Sequence, residues 1–124
     1  MEETKFLKLL RVIEQATKAG KVRWEETPVH DTFRARLGGG AVQITSVSFA
    51  NPDRESGEVR STEGFQAWLL NERNTVADSI EAYEGQENFL LLANLHQLAR
   101  RGSFHADALV DRMLETLHSA PSGK

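Results

Sequence analysis

The chain has 124 residues, no cysteine and a formal net charge of -3 at pH 7. That length suits a single domain, and the absence of cysteine closes three routes at once: a disulfide framework, a thiolate metal site and a cysteine nucleophile. Apolar residues at 40% and charged residues at 27% belong to a chain with a real core, so we expect one α+β domain over residues 1–120 and a disordered tail at 121–124.

Phe6, Leu9, Leu10, Ile13 and Ala16 recur at i, i+3, i+4, i+7 and i+10, the spacing of one face of an amphipathic helix. Glu2 and Glu3 suit its positive amino end, Lys18 its negative carboxyl end, and Gly20 a left-handed stop. The period then drops to two. Val22 and Trp24 alternate with Lys21, Arg23 and Glu25, and Phe33, Ala35 and Leu37 with Thr32, Arg34 and Arg36, which predicts two strands. Thr27 to Asp31 makes the turn between them, and Gly38-Gly39-Gly40 the next reversal.

Val42 and Ile44 share one face of a third strand, Ala41 to Phe49, whereas Val47 and Phe49 fall on the other. One buried face cannot hold both sets, so a bulge is expected near Thr45 or Ser46. Ala50 to Gly64 is polar and punctuated by Asn-Pro-Asp and Ser-Gly, and reads as a long loop. Phe65 to Leu70 and Thr75 to Ala82 follow as strands around the turn Asn71 to Asn74, which completes an antiparallel meander of about five strands.

From Glu87 the helical period returns, with Leu91, Leu92, Leu95, Leu98 and Ala99 on one side. Gly102-Ser103 breaks it. A last helix, Phe104 to His118, carries Ala106, Leu109, Val110, Met113, Leu114 and Leu117 as its stripe. The expected architecture is an N-terminal helix, a five-stranded antiparallel sheet and two C-terminal helices packed on one face. Burying each Leu, Ile or Phe stabilises by about 1.5–3 kcal/mol, against about 0–1 kcal/mol for an exposed ion pair, so apolar packing decides this fold.

Chemistry is harder to find. His30, His96, His105 and His118 match no metal-ligand spacing, and His96 on the flank of a Leu-rich helix reads as a partly buried side chain with one satisfied nitrogen. His30 and Asp31 are an adjacent acid-base pair on a turn, where the two side chains diverge. Asp78 lies between Val76 and Ile80 on the apolar face of its strand and needs either partners or a sheet edge. The glycine run precedes a strand rather than a helix, so it is a turn and not a phosphate cradle.

Residues 51–85 hold eight acids against three arginines. This asymmetry, with no basic stripe, predicts no nucleic-acid binding. The segment Met1 to Lys5 has no basic and apolar signal character, and no apolar run reaches the roughly 18 residues of a membrane span; a cytoplasmic protein with no membrane contact and no cofactor is expected. Trp24 and Trp68 both lie in strands, where an indole serves either the core or an interface. Together with Asp53, Glu55 and Glu58 of the long loop they are the candidate interaction surface. A sheet edge offers a route to a homodimer.

Lys21-Val22-Arg23-Trp24-Glu25 after an amphipathic helix, Asp31-Thr32-Phe33-Arg34-Ala35, the Asn71 to Asn74 hairpin and Leu98-Ala99-Arg100-Arg101 make the chain similar to small uncharacterised bacterial proteins of helix, sheet, helix layout. That resemblance implies a bacterial origin and a standalone or accessory role. In size, acidity and element order the chain also resembles the acidic chaperones of type III secretion, which implies dimerisation; that family places a helix between its third and fourth strands, where Asn51 to Gly64 here is rich in turn formers. The functional expectation is a non-enzymatic protein-interaction module with an unidentified protein partner. The alternatives are a small hydrolase or ligand-binding enzyme near His30, Asp31 or Asp78, and a secretion-chaperone-like protein.

Overall fold

In a computed structural model, which describes residues 4–52 and 55–119, the elements run α1 (Lys5–Lys18), β1 (Trp24–Glu26), β2 (Thr32–Leu37), β3 (Gly40–Pro52), β4 (Val59–Leu70), β5 (Val76–Tyr83), α2 (Phe89–Ser103) and α3 (Ala106–Ser119). Class and element order are those the periodicity predicts. Glu2, Glu3, Asp53 and the tail at 121–124 lie outside the described residues.

α1 begins at Thr4, whose Oγ1 accepts from the Leu7 amide at 3.2 Å, a side-chain cap for one of the orphan amides of a first turn. It stops where Gly20 takes φ +75 and Lys21 N–H closes back on Ala16 O at 2.9 Å, the left-handed ending open to a residue without a Cβ. Phe6, Leu7, Leu10 and Ile13 are its buried face.

The strands pair antiparallel in the order β1-β2-β3-β4-β5, a pure meander built from short connections. Phe33 is opposite Ile44, Ile44 opposite Ala67, and Ala67 opposite Ile80. These residues define the inner face, because directly paired positions share a side of the sheet. Ala35, Ala67 and Ala82 are fully buried there; their small side chains let helices approach closely. Leu92, Leu95 and Ala99 of α2 and Leu10 and Ile13 of α1 complete one continuous core with Trp24, Phe33, Val42 and Ile44. The indole N–H of Trp24 donates to Thr17 Oγ1 at 3.1 Å, fastening β1 to α1.

Three details differ from the sequence expectations. The β3–β4 ladder runs unbroken from Ala41↔Leu70 to Pro52↔Val59, so Thr45 and Ser46 carry no bulge; the irregularity falls between Leu69 and Leu70, where β4 pairs β5. Ala50 to Gly64 is not a loop throughout: both ends are strand, and the hairpin outruns its neighbours, since β2 pairs β3 only as far as Thr45 and β5 pairs β4 only as far as Gly64. Ser48, Ala50, Pro52, Val59, Arg60, Ser61 and Glu63 of this projecting arm are exposed, so no apolar alternation was required to form it; ladder hydrogen bonds suffice. Finally, α2 lies across the strands while α3 packs against α2. Five strands are about 20 Å wide and packed helices need about 8–10 Å each, so α1 and α2 already fill the inner face.

Gly64 of β4 sits under β5, and a Cβ there would approach Ala82 O to 2.7 Å. Backbone cannot give way as a side chain can. Gly64→Ala is expected to lower urea-unfolding stability by about 1–3 kcal/mol, whereas Ser61→Ala on the exposed arm should change it by less than about 0.5 kcal/mol.

Candidate functional site

The sequence-predicted residues are scattered by the fold. Trp24 is 2% exposed and belongs to the core, so its indole is not at a surface. Trp68 pairs with Gln43 and Ser79 and stands half-buried on the outer face of the sheet, the side without helices. Arg34 reaches across that face, donating from Nε and a terminal nitrogen to Gln43 Oε1 at 3.1 and 2.9 Å. Glu55 and Glu58 are exposed beyond the end of the arm, where the Glu58 amide donates to Ser56 Oγ at 3.2 Å. Asp78 is exposed on β5, the edge strand, and its Oδ1 accepts from the Ser79 amide at 2.8 Å.

His30 is exposed, but Asp31 beside it is a junction. Its backbone is left-handed, φ +56, which brings carbonyl and carboxylate round toward β3 and α2. Ser46 of β3 donates its hydroxyl to Oδ2. His96 of α2, 7% exposed, places Nε2 at 3.0 Å from the Asp31 carbonyl and 3.4 Å from Oδ1. A carbonyl oxygen can only accept, so Nε2 carries the proton. The imidazole lies 5.4 Å from the Phe33 ring and 5.0 Å from the Phe65 ring, both on the inner sheet face.

The hydrogen bonds of Ser46 and His96 both end on Asp31. A nucleophilic serine needs a base to take its proton, oriented by a third group; here the carboxylate occupies the middle and the arrangement ties a turn to a strand and a helix. Open clefts flank it, one of about 480 Å³ with Thr27, His30, Arg100 and Phe104 in its wall and one of about 310 Å³ with Ser48, Glu63 and Phe65. Among the described residues no group of three or more His, Asp or Glu can hold a metal ion, and no helix is long and apolar enough to cross a membrane.

The feature that the sequence left open is whether the stripe of α3 is covered. No residue of it is buried, and Leu109, Val110, Met113, Leu114 and Leu117 are 43% to 71% exposed. Its spacing identified an apolar stripe, yet spacing cannot say whether the fold supplies a surface for it. The helix is joined to α2 through Phe104 and His105, the latter at φ +51. Phe104 is anchored by an edge-on contact with Phe33, 5.7 Å between centroids, and Arg101 pairs with Asp107 across the corner.

The class defined is therefore an α+β domain with one helix-covered sheet face, one bare face and an uncovered amphipathic helix. No protein-family model, curated protein or solved structure matches the chain.

His96→Leu keeps the bulk of the ring but leaves the Asp31 carbonyl without its donor. It should cost about 1–3 kcal/mol in urea unfolding; a variant as stable as the parent would show that the junction contributes nothing. A second expectation concerns Tyr83 on the outer face. The Glu81 carboxylate hydrogen-bonds its phenol, and partial desolvation and the carboxylate's charge act in the same direction, raising the pKa above the ordinary 10.0. Stability from this pair is present below pH 10 and is lost as pH rises through the raised value. Tyr83 is the one tyrosine of the chain, so tyrosinate absorbance reads it directly; Glu81→Gln should bring the midpoint down toward the ordinary value.

Proposed function

We propose that this chain is a non-enzymatic protein-interaction module whose docking element is α3. The observation that carries the reading is an apolar stripe of five large side chains, none of them buried. A folded monomer rarely leaves a contiguous apolar patch of more than about 300–600 Å² in water, and a stripe flanked by Asp107, Asp111, Arg112 and Glu115 has the wet rim and dry centre of an interface. An isolated 14-residue helix is marginal in water, so covering the stripe also stabilises the helix. The absence of cysteine suits a cytoplasmic setting, and the resemblance to small bacterial proteins supports an accessory role there.

A small hydrolase is the second reading. What favours it is Asp31, held by Ser46 and His96 beside the 310 Å³ cleft. Asp78 cannot join such a site, because β5 is separated from the β1–β2 turn by β3 and β4, a span of about 14 Å.

The test is capture from a lysate of the source organism with the full chain as bait. Val110→Gln, Met113→Gln and Leu117→Gln together keep helix propensity while removing the stripe. Bound protein, an untagged copy of the chain included, should fall at least tenfold in this variant and persist in Glu55→Ala/Glu58→Ala. Equal capture by parent and stripe variant contradicts the reading.

A further inference from the structure

The positions of the six stripe residues of α3 carry more than amphipathicity. Ala106, Val110, Met113 and Leu117 are separated by four, three and four residues, the a/d rhythm of a helix seam, and Leu109 and Leu114 flank it. This set is unchanged when the helix is read backwards about the point between Asp111 and Arg112. A surface with that property is self-complementary under a two-fold axis, which is what an isologous contact requires.

From this we infer that the occupant of the stripe is α3 of a second copy of the chain, packed antiparallel. The inference rests on the reading of α3 as the docking helix and names its partner. In the antiparallel pairing Ala106 meets Leu117 of the partner subunit, and Val110 meets Met113 of the partner subunit. The smallest seam residue faces a large one, so the layers have nearly equal volume, as close packing demands. A parallel pairing sets Ala106 on its own copy and Leu117 on its own copy, leaving a gap at one end and crowding at the other.

The surroundings agree. Asp107, at the edge of the stripe, is drawn back onto Arg101 of α2, which keeps its charge off the seam. The body of each chain joins α3 at its N-terminal end, so antiparallel helices hold the two bodies at opposite ends without collision. Leu117, the most exposed of the five at 71%, then reaches the α2–α3 corner of the partner subunit, where Phe104 stands 47% exposed. Large apolar side chains carry roughly 150–250 Å² each when aromatic and somewhat less when aliphatic. Two half-exposed stripes therefore bury on the order of 1,000 Å² between them, the lower bound of a specific interface, so the dimer should be reversible on dilution.

The chain's lack of cysteine makes a clean test available. Single-cysteine variants A106C and L117C are prepared in the full chain and oxidised singly and mixed, while the parent and Met113→Asp are followed by sedimentation over a several-hundredfold dilution. The expected results are a disulfide between the two variants in the mixture and none from either alone. Like positions in the antiparallel pair are about 16 Å apart along the axis, beyond the roughly 7 Å that a disulfide spans. The parent should move from dimer to monomer on dilution, and Met113→Asp should weaken association at least tenfold, or more than about 1.4 kcal/mol.

Disulfides from each variant alone would establish a parallel pair and overturn the inference, as would association that Met113→Asp leaves unchanged. A parent that stays monomeric at the highest concentration overturns it too. If lysate capture still depends on the stripe in that case, α3 remains a docking helix for another protein; if neither is seen, both readings fall.

Discussion

Everything in this molecule is arranged around the limited width of one sheet face. Five strands in meander order offer about 20 Å across, and the inner side is the one on which Phe33, Ala35, Val42, Ile44, Ala67 and Ala82 are buried. Two helices at about 8–10 Å spacing fill it. α1 contributes Phe6, Leu10 and Ile13, α2 contributes Leu92, Leu95 and Ala99, and the core closes. The third amphipathic helix of the chain arrives when no inner sheet surface remains, so its stripe stays in water.

The same limit explains why polar detail gathers at the sheet's end. Where β3 and β4 run out beyond α2, buried apolar packing gives way to Ser46, Asp31 and His96, which link strand, turn and helix by hydrogen bonds. A buried imidazole held by a backbone carbonyl fixes the turn before β2. The outer face, with half-buried Trp68 and the Arg34–Gln43 pair beside buried Thr32 and Thr45, is amphipathic, as one side of an antiparallel sheet often is.

Much of this was legible in the residues. The change of apolar rhythm from 3.6 to 2 and back located the three helices and five strands of the described residues, and Gly20 adopts the left-handed conformation that its position demanded. The β3–β4 arm was not legible, since strands whose described side chains are mostly exposed need no apolar alternation, and Val47 pairs with Gly64 without any bulge. Neither was the Asp31–His96 contact, which joins residues 65 apart in the chain; nothing local records it. Trp24 and Trp68 look alike in sequence, and only the pairing of Trp24 with Ala35 against Trp68 with Gln43 sends one inward and the other outward. For α3 the rhythm identified the stripe, but whether a stripe is covered depends on the room left by the rest of the fold.

The most direct measurement is residue-resolved amide hydrogen exchange of the parent chain at two protein concentrations. Because α1 and α2 are packed on the sheet within each monomer while α3 rests against α2 with no residue buried, α2 amides should be equally protected at both, while α3 amides should exchange rapidly when dilute and slow markedly when concentrated. Protection of α3 that matches α2 and ignores concentration would mean the helix is already buried in its own monomer, and the account of an uncovered docking helix would fail.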